Sequence, residues 1–277
     1  MRYSTLALTA GCALGARRRL AVLSKQAQGT WEVLGRGVGG PAVSVVDLTP
    51  SGPANYEATM ALQRRLVEER VGNRSTDALM VVEHESVYTL GRGATEEHVL
   101  FDSGAEDAPS LVRAERGGDV TYHGPGQLVA YPVLQLADYK RDSHWYLRAL
   151  EEVVIRTCGE FGAEARRHDE HSGVWIGGRK VAAVGVALRK WVTYHGVSLN
   201  VDTDMGAFDR IVPCGLREEP VGSLVQILDR AVGIQDVLPV FLDHFAAVFE
   251  ARLVSENRKK ERRSPPPDAF VFDQRGR

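Results

Sequence analysis

Apolar residues recur at two different spacings along this chain, and the switches between them mark out its elements. Over residues 56–71, Met60, Leu62, Leu66 and Val67 lie mostly on one side of a helix, leaving Arg64, Arg65, Glu68 and Glu69 for water. Over 143–161, Leu147, Leu150, Val154, Cys158 and Phe161 recur at three- and four-residue steps, which predicts a second and clearer helix. A terminal helix is predicted over 236–253, with Pro239 in its first turn, where a missing N–H is tolerated. Short β-branched or apolar runs at 42–48, 78–83, 111–114, 127–136, 174–176, 180–188 and 192–201 read as strands. Gly177-Gly178-Arg179 joins two of them as a hairpin turn. Strands outnumber helices and several form adjacent hairpins, so the pattern predicts an α+β domain: a mixed, mainly antiparallel sheet with flanking helices.

One stretch breaks the alternation. Residues 116–133, RGGDVTYHGPGQLVAYPV, begin as a glycine-marked polar loop and end as an apolar strand. Glycines at 117, 118, 124 and 126 let backbone amides approach a ligand closely, and Arg116, Thr121, His123 and Gln127 are more polar groups than a turn requires. A plain connection between strands is the alternative for any one of these glycines. Nucleotide binding loses support, because no helix start follows and the Gly-Lys-Ser/Thr ending of a phosphate loop is missing. A second glycine-marked loop, with His84, Glu85, Tyr88, Gly91, Arg92 and Gly93, supplies a candidate second wall.

Composition narrows the classes. A formal net charge of -2 argues against a general nucleic-acid binder, and no run approaches the ~20 apolar residues that a membrane-crossing helix needs. Three cysteines, at 12, 158 and 214, make no disulfide framework. Residues 1–40 read as a targeting leader and linker: the first acid is Glu32, whereas Arg2, Arg17, Arg18, Arg19 and Lys25 precede it, as in a mitochondrial transit peptide. A secretory signal or lipoprotein cleavage site is the rival. The folded domain is placed at 41–254, and 255–277 read as a disordered, charged, proline-rich tail.

Two positions are candidates for covalent chemistry. Cys214 sits between Pro213 and Gly215, in a restricted turn able to present its sulfur to a cleft, whereas Cys158 belongs to an apolar helix face and reads as a small core residue. An inert cysteine is the alternative at 214 as well. A free thiol has a pKa of about 8.5, so a nucleophile working near neutral pH benefits from a nearby cation or base. Lys180, Arg179, His123 and His195 are the candidates. Zinc is disfavoured, because no Cys-x-x-Cys pair or His-Glu-x-x-His helix occurs.

Four segments in this order, RGGDVTYHGPGQ (116–127), GRKVAAVG (178–185), HGVSLN (195–200) and IVPCGL (211–216), resemble the lipoyl(octanoyl) transferases, octanoyl-[acyl carrier protein]:protein N-octanoyltransferases. The resemblance implies the α/β fold shared with lipoate and biotin protein ligases, and an acyl transfer through a cysteine thioester without ATP or another cofactor. It implies Cys214 as nucleophile and Lys180 as the group that lowers its pKa. Its acyl-pocket segments fall on Arg116, Gly117, Gly118, Asp119, Val120, Thr121, Tyr122 and His123, on Ala183, Val184 and Gly185, and on Gly196, Val197 and Ser198. The implied partners are octanoyl-acyl carrier protein and the lipoyl domains of 2-oxoacid dehydrogenase complexes and the glycine-cleavage H protein, with no nucleic acid or membrane. The competing functions are an ATP-dependent lipoate or biotin protein ligase and an acyl-binding module without turnover. A mitochondrial location follows from the leader, with bacterial cytoplasm or plastid as alternatives.

Overall fold

The computed structural model describes residues 40–213 and 220–255. Cys214, the leader and the tail lie outside the described residues.

An eight-stranded sheet forms the centre. Its strands are β1 (Ala42–Asp47), β2 (Asp77–Val82), β6 (Gln127–Val133), β7 (Ala165–Arg166), β8 (Val174–Ile176), β9 (Arg179–Arg189), β10 (Val192–Asn200) and β11 (Arg252–Ser255), in the order β11-β1-β2-β6-β10-β9-β8-β7. The β11–β1 and β1–β2 pairs are parallel and every later pair is antiparallel, so the sheet is mixed and mainly antiparallel. A small second sheet joins β3 (Val87–Leu90) to β4 (Leu111–Arg113) and β5 (Val120–His123).

Helices cover both faces of the large sheet, which explains why its strands read as unbroken apolar runs. On one face, α2 (Ser143–Glu160) and α3 (Ile234–Val248) pack over Leu79, Val81, Leu128, Ala130, Val197 and Leu199. Alternate residues, among them Met80, Val82, Val129 and Tyr131, point to the other face against Tyr56 and Met60 of α1 (Tyr56–Val71). Cys158 is fully buried on the apolar face of α2, and burial pushes its thiol up to about 12.

Some boundaries differ from the sequence expectation. The last long helix starts at Ile234, so Pro239 falls in its second turn, and it ends at Val248 so that Leu253 belongs to β11. The edge of β1 is thereby paired rather than exposed. β3 and β5, expected as loops, pair from Val87↔His123 to Leu90↔Val120. The expected hairpin is present: Gly177 and Gly178, at φ 56° and 79°, link β8 to β9.

Candidate active site

The face of the large sheet on the α1 side carries a cavity of about 370 Å³. Strand alternation selects its wall. On β10, Gly196, Ser198 and Asn200 line the cavity, while Leu199 enters the main core and Val197 borders both; on β9 the matching partners are Ala183, opposite Ser198, and Gly185, opposite Gly196. The 116–121 loop closes the cavity from above.

Arg116 builds that loop. Its guanidinium donates to the carbonyl oxygens of Asp119 at 2.8 Å and Gly117 at 3.1 Å, and to Thr89 O and Oγ1, both at 2.8 Å. The charged head therefore fastens the loop to β3, and the stem lies over Gly185, where an added Cβ would stand 3.0 Å from Arg116 Cδ. Gly117 N donates to Val186 O at 2.9 Å, which ties the loop to β9.

The structure brings most of the sequence-predicted residues to one place. Arg116, Gly117, Gly118, Asp119, Val120, Thr121 and His123 line the cavity, as do Ala183, Val184 and Gly185, Gly196, Val197 and Ser198, and Lys180. Tyr122 does not: it turns into a satellite core with Tyr88 and Phe208, and its hydroxyl pairs with Ser86 Oγ at 2.9 Å. Cys214 lies outside the described residues, but Pro213, which immediately precedes it, lines the cavity.

Both flanks of the segment that carries Cys214 are anchored. On the upstream side, Val212 N donates to His98 O at 2.8 Å and Leu100 N to Arg210 O at 2.9 Å; His98 also pairs through its ring with Asp119 of the cavity loop. On the downstream side, Lys180 N donates to Pro220 O at 2.9 Å and Gly222 N to Lys180 O at 3.0 Å. The lysine strand thus pairs in parallel with the chain at residues 220–222. Lys180 is 6% exposed, and its ammonium lies 5.0 Å from the centroid of the Trp175 ring.

A chain of buried amides links the cavity floor to this end. His123 Nδ1–H donates to Gln127 Oε1 at 2.6 Å, Gln127 Nε2 donates to Asn200 Oδ1 at 2.8 Å, and Asn200 Nδ2 donates to Gly222 O at 3.1 Å. His84 donates from Nδ1 to Ala54 O at 3.2 Å and accepts from the Tyr131 hydroxyl at 2.9 Å. Burial pushes His84 down to about 4 and both His123 and His195 down to about 3, so all three imidazoles are neutral near pH 7. Tyr56 and Tyr131 complete this aromatic floor. Sequence reasoning missed these two tyrosines; Tyr131 sits inside a buried apolar strand that offers no signal of its own.

Among the described residues no group of three His, Cys, Asp or Glu side chains is placed to hold a metal ion, and no helix is long and apolar enough to cross a membrane. What the cavity offers instead is a mostly apolar lining that includes one lysine, Lys180.

Comparisons with known proteins show the family. Residues 55–246 match the lipoyl protein ligase A/B catalytic domain. The octanoyltransferase of Gloeobacter violaceus is 50% identical over 203 residues, which cover 73% of this chain and 89% of the relative. The octanoyltransferase of Nostoc punctiforme is 47% identical, covering 75% and 86%. The chloroplastic octanoyltransferase LIP2p2 of Arabidopsis thaliana is 45% identical over 63% of this chain and 64% of its own. Among solved structures, lipoate-protein ligase A bound with ATP superposes with a TM-score of 0.63 at 19% identity, covering 79% of this chain and 90% of the ligase. A bipartite lipoate protein ligase from Thermoplasma acidophilum gives 0.63 at 18%, covering 78% and 86%. The ligases share the fold; the octanoyltransferases share the sequence as well, and the chain belongs to the octanoyltransferases of the lipoyl protein ligase A/B catalytic-domain family.

Proposed function

We propose that this octanoyltransferase moves an octanoyl group from acyl carrier protein to the lysine of a lipoyl domain through a thioester on Cys214. The cavity takes the acyl chain, with Arg116 to His123 (Tyr122 excepted), Ala183 to Gly185 and Gly196 to Ser198 as its walls. The Cys214 thiolate attacks the thioester carbonyl, the tetrahedral adduct collapses, and the carrier leaves as a thiol after taking up a proton. The acceptor amine then attacks the enzyme thioester, loses a proton and leaves as the amide, returning the thiolate. Lys180 stabilises the thiolate as a cation and, when neutral, accepts the proton of the incoming amine. No ATP enters, because a thioester is already activated.

The observation that carries this reading is the position of Lys180. It lines the cavity that Pro213 also lines, and its backbone N–H and C=O are bonded to Pro220 and Gly222, so the described residues on either side of the Cys214 segment both meet the lysine's surroundings. The specific acceptors proposed are lipoyl domains of 2-oxoacid dehydrogenase complexes and the glycine-cleavage H protein. The leader is read as mitochondrial; since the Arabidopsis relative is named chloroplastic, imaging of the tagged full chain and of a chain lacking residues 1–39 has to score both organelles.

The test of the reaction class is transfer from octanoyl-acyl carrier protein to a lipoyl domain without nucleotide. Acylation of the lipoyl-domain lysine by the wild type and none by Cys214→Ser is expected. A requirement for ATP and free octanoate would make the chain a ligase, and binding without transfer would make it an acyl-binding module.

A further inference from the structure

His195 lines the cavity from a position that should not reach it. On β10 the core-facing residues are Val197 and Leu199, and strict alternation would send His195 the same way. Its backbone instead takes φ 56°, a left-handed conformation uncommon for a residue with a side chain, in the middle of a strand. The rings of Tyr194 and His195 consequently lie 5.3 Å apart, and His195 meets Tyr131 edge-on at 6.1 Å. The flipped amide is received by α1: His195 N donates to Gln63 Oε1 at 3.2 Å. Gln63 is 1% exposed, and its own Nε2 has no hydrogen-bond partner among the described residues. A buried amide left half satisfied and a strained strand residue are both unfavourable. Together they hold one imidazole at the cavity wall.

We infer that His195, held by Gln63, is the specificity-determining stop that sets acyl-chain length, a conclusion that rests on the acyl cavity of the proposed function. With the thioester at the Lys180 end and the first carbon near Ser198, the chain runs along β9 and β10 past Gly185 and Gly196. Ser198 to His195 is three residues, about 10 Å of strand. Eight carbons in extended zigzag, with C–C bonds of ~1.5 Å, span about 9 Å. The neutral ring of His195 therefore meets the end of an eight-carbon chain, and longer chains collide with it.

The substitution His195→Asn shortens the side chain and suits the backbone, because asparagine is enriched at positive φ; His195→Gly relieves the strain altogether. Single-turnover transfer from hexanoyl-, octanoyl-, decanoyl- and dodecanoyl-acyl carrier protein gives the readout, with thermal melting to show that each variant is folded. Both variants should raise the decanoyl-to-octanoyl rate ratio by about tenfold, the size expected for accommodating two further methylenes, and Gln63→Ala should raise it less. A general slowing with an unchanged ratio in both His195 variants overturns the inference. Ala183→Leu, opposite Ser198, narrows the slot beside the first acyl carbons and separates the two readings. If the folded variant loses octanoyl transfer while the ratio stays fixed in the His195 variants, only the length stop fails; if it leaves octanoyl transfer at the wild-type rate, no acyl chain occupies the cavity and the proposed site fails with it.

Discussion

The ammonium of Lys180 lies 5.0 Å from the centre of the Trp175 ring, directly across the β8–β9 ladder in which the two residues are partners. The sequence separates them by a two-glycine turn, and the hairpin makes them neighbours. An aromatic face stabilises a cation by about 0.5–2 kcal/mol when partly desolvated. In the proposed mechanism the Trp175 ring is the face against which the Lys180 ammonium rests.

Replacing that face should weaken the thiolate without touching the nucleophile. In Trp175→Leu, the rate of Cys214 alkylation near pH 7 is expected to fall about tenfold, as a loss of ~1.4 kcal/mol implies, whereas Trp175→Phe keeps most of it. Alkylation followed across pH checks this, and equal profiles for the wild type and the leucine variant would remove the ring from the mechanism.

Behind the lysine, Gly173 N donates to Glu151 Oε1 at 2.9 Å, and a Cβ at Gly173 would stand 2.9 Å from Lys180 Cε. Glu151 is fully buried on α2 and its other oxygen receives Arg148 at 2.8 Å and Arg167 at 3.2 Å. The substitution Glu151→Ala orphans a buried N–H and should cost about 1–3 kcal/mol in urea unfolding. Octanoyl transfer should slow with it, because the backbone supporting Lys180 loosens. Glu151→Gln, which keeps an acceptor, should recover part of both.

The three buried histidines give the fold a pH signature. Their folded pKa values, about 4 for His84 and about 3 for His123 and His195, lie below the ordinary 6.5. The unfolded chain therefore binds more protons than the folded one between those limits, and stability present above pH 6.5 is lost as pH falls toward 4. Each histidine contributes up to about 1.4 kcal/mol per pH unit in that window. Urea unfolding at pH 7, 6 and 5 should show two to three protons taken up per molecule, a rough count from three groups. A flat profile between pH 6 and 5 would mean that the imidazoles are already charged in the folded protein.

Much of the site was legible because glycine, proline and polar residues interrupt otherwise apolar strands. The segments from Arg116, Gly178 and His195 stand out in this way, and the fold brings all three to one slot. Tyr56 and Tyr131 gave no such signal: Tyr131 lies in a strand buried throughout and Tyr56 on the buried side of α1, so each reads like any core residue. β3 and β5 were hidden because four-residue strands interleaved with His84, Arg92 and Arg116 resemble loops until they pair. His195 was noticed as a candidate base, yet its role as a wall depends on a single positive φ and on Gln63, 132 residues away, which no local pattern reveals.

The central claim is that the acyl group passes through Cys214. Mixing the enzyme with octanoyl-acyl carrier protein alone, with neither nucleotide nor acceptor, and reading the intact mass tests it most directly. One octanoyl group should appear on the wild type, map to the peptide containing Cys214, and disappear when a lipoyl domain is added. An enzyme that octanoylates the lipoyl domain without ever carrying the group, or a Cys214→Ser variant that transfers at the wild-type rate, would contradict the account.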